Sequence, residues 1–260
     1  RLIEDFMLAA NETVAKDFFE KGIPFLYRVH EEPTEEKKVF LKNILTRYGV
    51  YFDERNHTPK DFQRLTENLK GSPDEGLLMR LTLRSMSQAK YMPENLGHFG
   101  LAALHYCHFT SPIRRYPDLQ IHRIIREYLH GRMNEKRIDH YKRLLPNVGL
   151  LTSEKERRAE RAERDSVKMK MAEYMSDHIG ETFDGVISAV TEWGIYVELP
   201  NMIEGLVPVR TLEDDWYEYN EDEAAMIGRR FGKTYRMGDE VKVRTLSADK
   251  ALRQIDFELV

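Results

Sequence analysis

The 260 residues suffice for one large or two medium-sized domains, each with its own core. No run approaches the ~18 consecutive apolar residues of a membrane span, and a single cysteine, Cys107, excludes an internal disulfide and fits the reducing cytoplasm. The formal net charge of -4 speaks against a uniformly basic nucleic-acid binder, but it is unevenly placed: residues 180–260 hold 9 Lys and Arg against 17 Asp and Glu, whereas the first 179 residues carry a net +4.

Residues 1–179 read as mostly helical. Leu2 to Glu20 has apolar residues at helical spacing, with Ile3, Phe6, Met7 and Ala10 on one face, and stops at Gly22 and Pro24. Thr34 followed by Glu35 and Glu36 starts a helix with the expected inner face Phe40, Leu41, Ile44, Leu45 and Tyr48, closed by Gly49. Thr58-Pro59 and Ser72-Pro73-Asp74-Glu75 are cap-then-proline helix starts, the second with capping-box spacing.

The run from His108 to Leu119 is the most informative of the chain. It sets two adjacent arginines, Arg114 and Arg115, beside Tyr116 and Asp118 on a stretch punctuated by Pro112 and Pro117. Pro112 suits the first position of a helical turn capped by Ser111, and Pro117 is expected to push Tyr116 out of the helical region, leaving both arginines on a short, stiff turn. Leu119, Ile121, Ile124, Ile125, Tyr128 and Leu129 then read as the buried face of a helix ended by Gly131. Arginines held at a helix entrance suit paired hydrogen bonds to phosphate, and equally suit a structural ion-pair network with carboxylates. His122, four residues after Asp118, is expected to pair with it. A zinc site among His98, His105, His108 and His122 lacks a tight two-ligand turn. A long charged helix is expected from about Ser153 to His178, with seven basic residues between Lys155 and Lys170.

At Gly180 the pattern changes to strands: Thr182–Val190, Gly194–Leu199, Glu204–Val209, Glu240–Leu246 and Gln254–Val260. Five short strands in about 80 residues suit a closed barrel of the OB type. The fold class is therefore α+β, with domains 1–179 and 180–260. Exposed rings on such a barrel are candidate stacking platforms for bases, and Phe183, Trp193 and Tyr196 are the candidates, with core packing the other reading of Phe183.

His108 to Leu119 resembles the signature of the ribonuclease II and ribonuclease R family of processive 3′→5′ exoribonucleases. Leu2-Ile-Glu-Asp-Phe-Met-Leu-Ala-Ala-Asn11, Gly97-His-Phe-Gly-Leu101 and Arg158-Ala-Glu-Arg-Ala-Glu-Arg-Asp165 fit the same family in the same order, and the ribonuclease R branch fits best. The resemblance implies the C-terminal half of the family's RNB catalytic domain followed by an OB barrel of the kind repeated in ribosomal protein S-one. It implies that Arg114 contacts the scissile phosphate, that Arg115 and Tyr116 join the RNA contacts, that Glu4 lies near the terminal ribose, and that Glu163 lies where substitution affects RNA release. The family's aspartate quartet, roughly D-x5-D-x-D-D, does not occur; Asp214 and Asp215 are the only adjacent pair. The expectation is thus a piece of a longer cytoplasmic enzyme, with a magnesium site and N-terminal domains outside this chain, RNA as partner and no hydrolysis by the piece alone. A non-catalytic RNA-binding relative is the alternative. Pro208 stands where this barrel class commonly has histidine, and Gln254 where arginine is frequent. The stretch Asp214 to Arg236 fits the ribonuclease R branch and has no assigned role.

Overall fold

The computed structural model describes residues 2–53, 58–72, 75–220 and 225–260. The chain divides into two compact units, Arg1–Arg158 and Ala159–Val260. The first contains α1 (Leu2–Glu20), β1 (Tyr27–Val29), α2 (Glu35–Arg47), α3 (Pro59–Leu69), α4 (Glu75–Ser85), β2 (Lys90–Met92), α5 (Tyr116–Leu129) and the first part of α6 (Glu135–Ser176). β1 and β2 pair antiparallel with Arg28 opposite Tyr91. The core gathers Ala15 and Phe18 of α1, Phe25, Leu26, Tyr27 and Val29, Tyr91, Cys107, Ile121 and Ile124 of α5, and Tyr141, Leu145 and Val148 of α6.

Several expectations change here. The apolar face of α1 is buried only in its second half; Leu2, Ile3, Phe6 and Met7 are exposed. In α2, Leu41 and Leu45 are buried, but Phe40 and Tyr48 face solvent, as do Tyr128 and Leu129 of α5. In each case the apolar arc is wider than the face the helix presents to its neighbours. The Thr58-Pro59 start is confirmed, with Thr58 N–H donating to the Asp61 carboxylate at 2.9 Å. Pro73 and Asp74 of the second proposed start lie outside the described residues. α5 begins at Tyr116, not after it: Pro117 occupies the first turn, where no i−4 carbonyl opposes its ring, and Arg115 is the extended cap (φ −122, ψ 117). α6 starts at Glu135, well before Ser153, and carries Pro146 inside it. Gly149 is no helix breaker either. A Cβ there would lie 2.6 Å from the Tyr91 carbonyl oxygen, so glycine lets α6 lie directly against β2.

In the second unit β3 (Thr182–Thr191), β4 (Gly194–Glu198), β5 (Glu204–Pro208), β9 (Glu240–Asp249) and β10 (Gln254–Leu259) close a barrel in the order β10-β5-β4-β3-β9. Only β10 and β5 pair in parallel. These are the five strands expected from the alternation of apolar residues. Ile187, Ile195, Val197, Val207, Val243 and Phe257 fill the barrel, and Ala172 and Met175 from the end of α6 are buried with them. The stretch 214–236 folds into a separate antiparallel sheet of β6 (Tyr217–Asn220), β7 (Ala225–Gly228) and β8 (Thr234–Arg236). Among the described residues no helix is long and apolar enough to cross a membrane.

Candidate functional site

The arginine turn is closed from both ends. The Ser111 carbonyl accepts the N–H groups of Arg114 and Arg115 at 3.3 and 3.1 Å. Fully buried Asp118 accepts from Ser111 N–H at 2.7 Å and from the Arg115 guanidinium at 2.8 Å through the same oxygen. The cap of the turn is thus the Ser111 backbone together with Asp118. The pair Arg115–Asp118 is the structural ion pair of the two readings left open by the sequence. Arg114, by contrast, is exposed and has no carboxylate partner among the described residues. Ile113 beside it is wholly exposed, and Tyr116 is half-exposed with the Arg123 guanidinium 5.8 Å from its ring centroid. The turn therefore offers one free fork-shaped cation flanked by apolar surface.

Residues that the sequence reading passed over hold this turn. Asn11 of α1, buried in an otherwise apolar helix face, accepts the Phe109 N–H at 3.0 Å and donates to the Tyr106 hydroxyl at 3.1 Å. Its carbonyl accepts from the Cys107 thiol at 3.3 Å. A lone asparagine among Ala10, Val14, Ala15 and Phe18 was the signal that could have found it. His122 stacks on Phe109 and bonds the Phe109 carbonyl at 2.8 Å, so the expected pairing with Asp118 does not form: that carboxylate is taken by Arg115 and Ser111. Next to the turn, the Tyr91 hydroxyl meets His108 Nδ1 at 2.8 Å, and Arg28 pairs with Glu156 at 2.5 Å while covering the Tyr91 ring at 4.6 Å.

Burial, then the neighbouring cations Arg115 and Arg28, pushes His108 down to about 3. Burial, then His30 and Arg28, pushes His98 down to about 4. Both rings are neutral at physiological pH. His30 uses both nitrogens, on the Ser87 carbonyl at 2.6 Å and the Gly100 N–H at 2.9 Å. His105 is held by Asn95 at 2.7 Å. Among the described residues no group of three or more His, Cys, Asp and Glu is placed to hold a metal ion. This donor set does not fit a divalent-cation site.

Glu4 is exposed on α1, two helical turns before Asn11 and on the same face. Glu163 is exposed on α6 in the second unit, in a row with Arg161 and Arg164. In the barrel, Trp193 stands exposed in the β3–β4 turn, while Phe183 is partly buried against the core. Tyr196 lines an open cleft of about 300 Å³ with Lys168, Glu204, Leu206, Arg253 and Gln254. Lys168 and Arg253 give that cleft two cations, and Arg253 is tied to Asp165 at 2.9 Å.

Comparison with known proteins finds two families in the chain. The RNB domain family matches residues 1–131. The chain belongs to the RNB family. The S1 RNA binding domain family matches residues 176–259, the barrel. The chain is 47% identical over 265 aligned positions to Ribonuclease R of Aquifex aeolicus, covering all of this chain and 37% of that protein. It is 44% identical to Ribonuclease R 1 of Lactococcus lactis, covering 99% of this chain and 32% of that protein. Among solved structures, Mycoplasma genitalium RNase R in complex with ribose methylated single-stranded RNA superposes with a TM-score of 0.94 at 30% identity, over 99% of this chain and 41% of that one. The chain thus spans about a third of the length of the curated relatives it matches. The combination of RNB and S1 domains is the one that the sequence resemblance implied.

Proposed function

We propose that this chain is the substrate-contacting part of a cytoplasmic ribonuclease R-type 3′→5′ exoribonuclease that hydrolyses RNA to 5′-mononucleotides. The observation that carries the reading is the arginine turn: two neighbouring arginines, one locked on a buried carboxylate and the other left free. Arg114 is the catalytic residue. Its planar fork pairs with non-bridging phosphate oxygens and counts for more as negative charge builds in the transition state. Arg115 holds the turn in place, and its remaining N–H groups and Tyr116 border the RNA. Glu4 accepts a hydrogen bond from a ribose 2′-hydroxyl, the group that separates RNA from DNA. Glu163 and the basic row on α6 line the path of the strand, and Trp193, Tyr196 and Phe183 give stacking surface on the barrel.

The division of labour follows residues 1–179 and 180–260. Magnesium belongs to the parent enzyme, held by carboxylates outside these residues. The relatives' greater length and the resemblance of the chain to an RNase R solved with RNA support this reading. The test is a 5′-labelled single-stranded RNA incubated with Mg²⁺. The full-length parent should shorten it from the 3′ end and release mononucleotides, and the chain alone should leave it intact. A parent that cuts internally or not at all sinks the exoribonuclease reading. A 3′ ladder produced by the chain alone sinks the placement of the metal site.

A further inference from the structure

The small sheet of β6, β7 and β8 has two unlike ends. At one, Asn220 lies opposite Ala225, and the acidic residues Glu221, Asp222 and Glu223 follow β6 in sequence. At the other, Tyr217 lies opposite Gly228, and β7 runs into a closed turn. Gly228 N–H donates to the Lys233 carbonyl at 2.8 Å, and Gly232 N–H to the Gly228 carbonyl at 3.1 Å. The Asp215 carboxylate staples this turn by accepting the N–H groups of Arg230 at 3.0 Å and Phe231 at 2.7 Å, together with that of Trp216. Arg229 N–H donates to the Trp216 carbonyl at 2.9 Å. A Cβ at Gly228 would sit 2.4 Å from the Asp215 carboxylate, so glycine leaves room for the staple. These bonds close the turn and bring the backbones of Trp216, Arg230 and Phe231 to one carboxylate.

Among the described residues, those three side chains are exposed and belong to neither core cluster. Trp216 is 73% exposed and Phe231 68%. The charges around them are settled: Lys233 pairs with Asp214 at 2.9 Å, Arg229 pairs with Glu218, and Asp215 is spent on backbone N–H groups. Arg230 has no carboxylate partner among the described residues, and its guanidinium stands 5.1 Å from the Phe231 ring centroid. A closed turn with two bare rings and one unneutralised guanidinium matches a ligand with flat faces and a regularly spaced negative charge. An apolar protein partner would be served by the rings without the free cation.

We propose that Trp216, Arg230 and Phe231 form a second contact for single-stranded RNA, separate from the Tyr196 cleft, in which the rings stack on bases and Arg230 meets the backbone phosphate. The site is built into the insert that distinguishes this barrel, and it rests on the RNA reading given above. It lets an acidic barrel hold a strand at one positive, aromatic point without general electrostatic attraction.

The chain's two tryptophans separate the two contacts. In W193F the sole indole is Trp216; in W216F it is Trp193. Each variant is titrated with single-stranded oligouridylate, with fluorescence anisotropy of a labelled strand run in parallel. Expected is saturable quenching of Trp216 in W193F with the Kd seen by anisotropy. Adding F231A or R230A should weaken it at least about five-fold, and an abasic strand of equal length should bind at least about five-fold more weakly. All three side chains are exposed, and near-UV circular dichroism verifies that the variants fold. Binding seen by anisotropy with Trp216 emission flat and F231A without effect overturns this site and leaves the RNA reading standing. Absence of any RNA binding overturns both. A Trp216 response to vesicles or apolar peptides but not to RNA also overturns the proposal.

Discussion

Arg114 and Arg115 are chemically identical neighbours with different work, and Asp118 makes the difference. It stands four residues after one and three after the other, and both spacings allow a pair on a helix. Spacing alone therefore could not say which arginine is free. The fold decides it, because Asp118 is wholly buried and the one oxygen that accepts Ser111 N–H also accepts the Arg115 guanidinium. Substitutions should split accordingly. R114A should leave thermal stability unchanged and lower the parent's kcat by ~10²–10³, the typical cost of losing a preorganised donor. R114K keeps the charge without the fork and should recover only part of it. R115A should destabilise the first unit by about 3–5 kcal/mol, the cost of leaving a buried charge without its partner, moderated by the partial exposure of Arg115. Single-turnover RNA degradation and thermal melts of the three variants check this. Equal losses of stability in R114A and R115A would remove the distinction.

At the scale of elements, the end of α6 behaves as a sixth wall of the barrel. Ala172 and Met175 are fully buried in its core, and Glu173 bridges Lys170 and Lys250, the latter on the β9–β10 turn. M175A should therefore cost the barrel about 2–5 kcal/mol, as for a buried methionine cut to alanine. The measurement is the denaturant midpoint followed by tryptophan emission, since both tryptophans lie in this unit; an unchanged midpoint would mean that the helix merely passes by. The five barrel strands were legible because their buried and exposed residues alternate. The sheet of β6 to β8 was not, because its strands are only three or four residues long, too short for alternation to show although Tyr217, Met226 and Tyr235 are buried in the same core as the barrel, and because the Asp215 staple and charge pairs leave no periodic trace. The first half of α6, which contains Pro146 and Gly149, was not expected from the sequence. Gly149 is there for close packing on Tyr91, which only the tertiary structure reveals. The motif turn itself was legible as a stiff arginine site, whereas Asn11, which ties it to α1 across about 100 positions of sequence, required the fold.

For the whole molecule, acid should act on one unit before the other. His98 and His108, both in the first unit, sit well below the ordinary histidine value because they are buried beside cations. The unfolded chain takes up protons near pH 6.5 that the folded rings refuse, so the unfolded state gains as pH falls through that value and the folded state is weakened. The loss grows until the folded rings titrate, about pH 4 for His98 and about 3 for His108. At pH 5 it amounts to at most about 2 kcal/mol for each ring. In the second unit the shifted carboxylates Glu173, Asp214 and Asp215 all lie below their ordinary values, so their contribution is intact at pH 5 and is lost only in stronger acid. Between pH 7 and 5 the helical circular dichroism signal should melt at a lower temperature while the tryptophan emission transition stays where it was. H108F should remove about half of the drop, because a neutral ring of similar size replaces one of the two that resist protonation while His98 remains. Equal shifts of both signals would mean that the two units unfold as one.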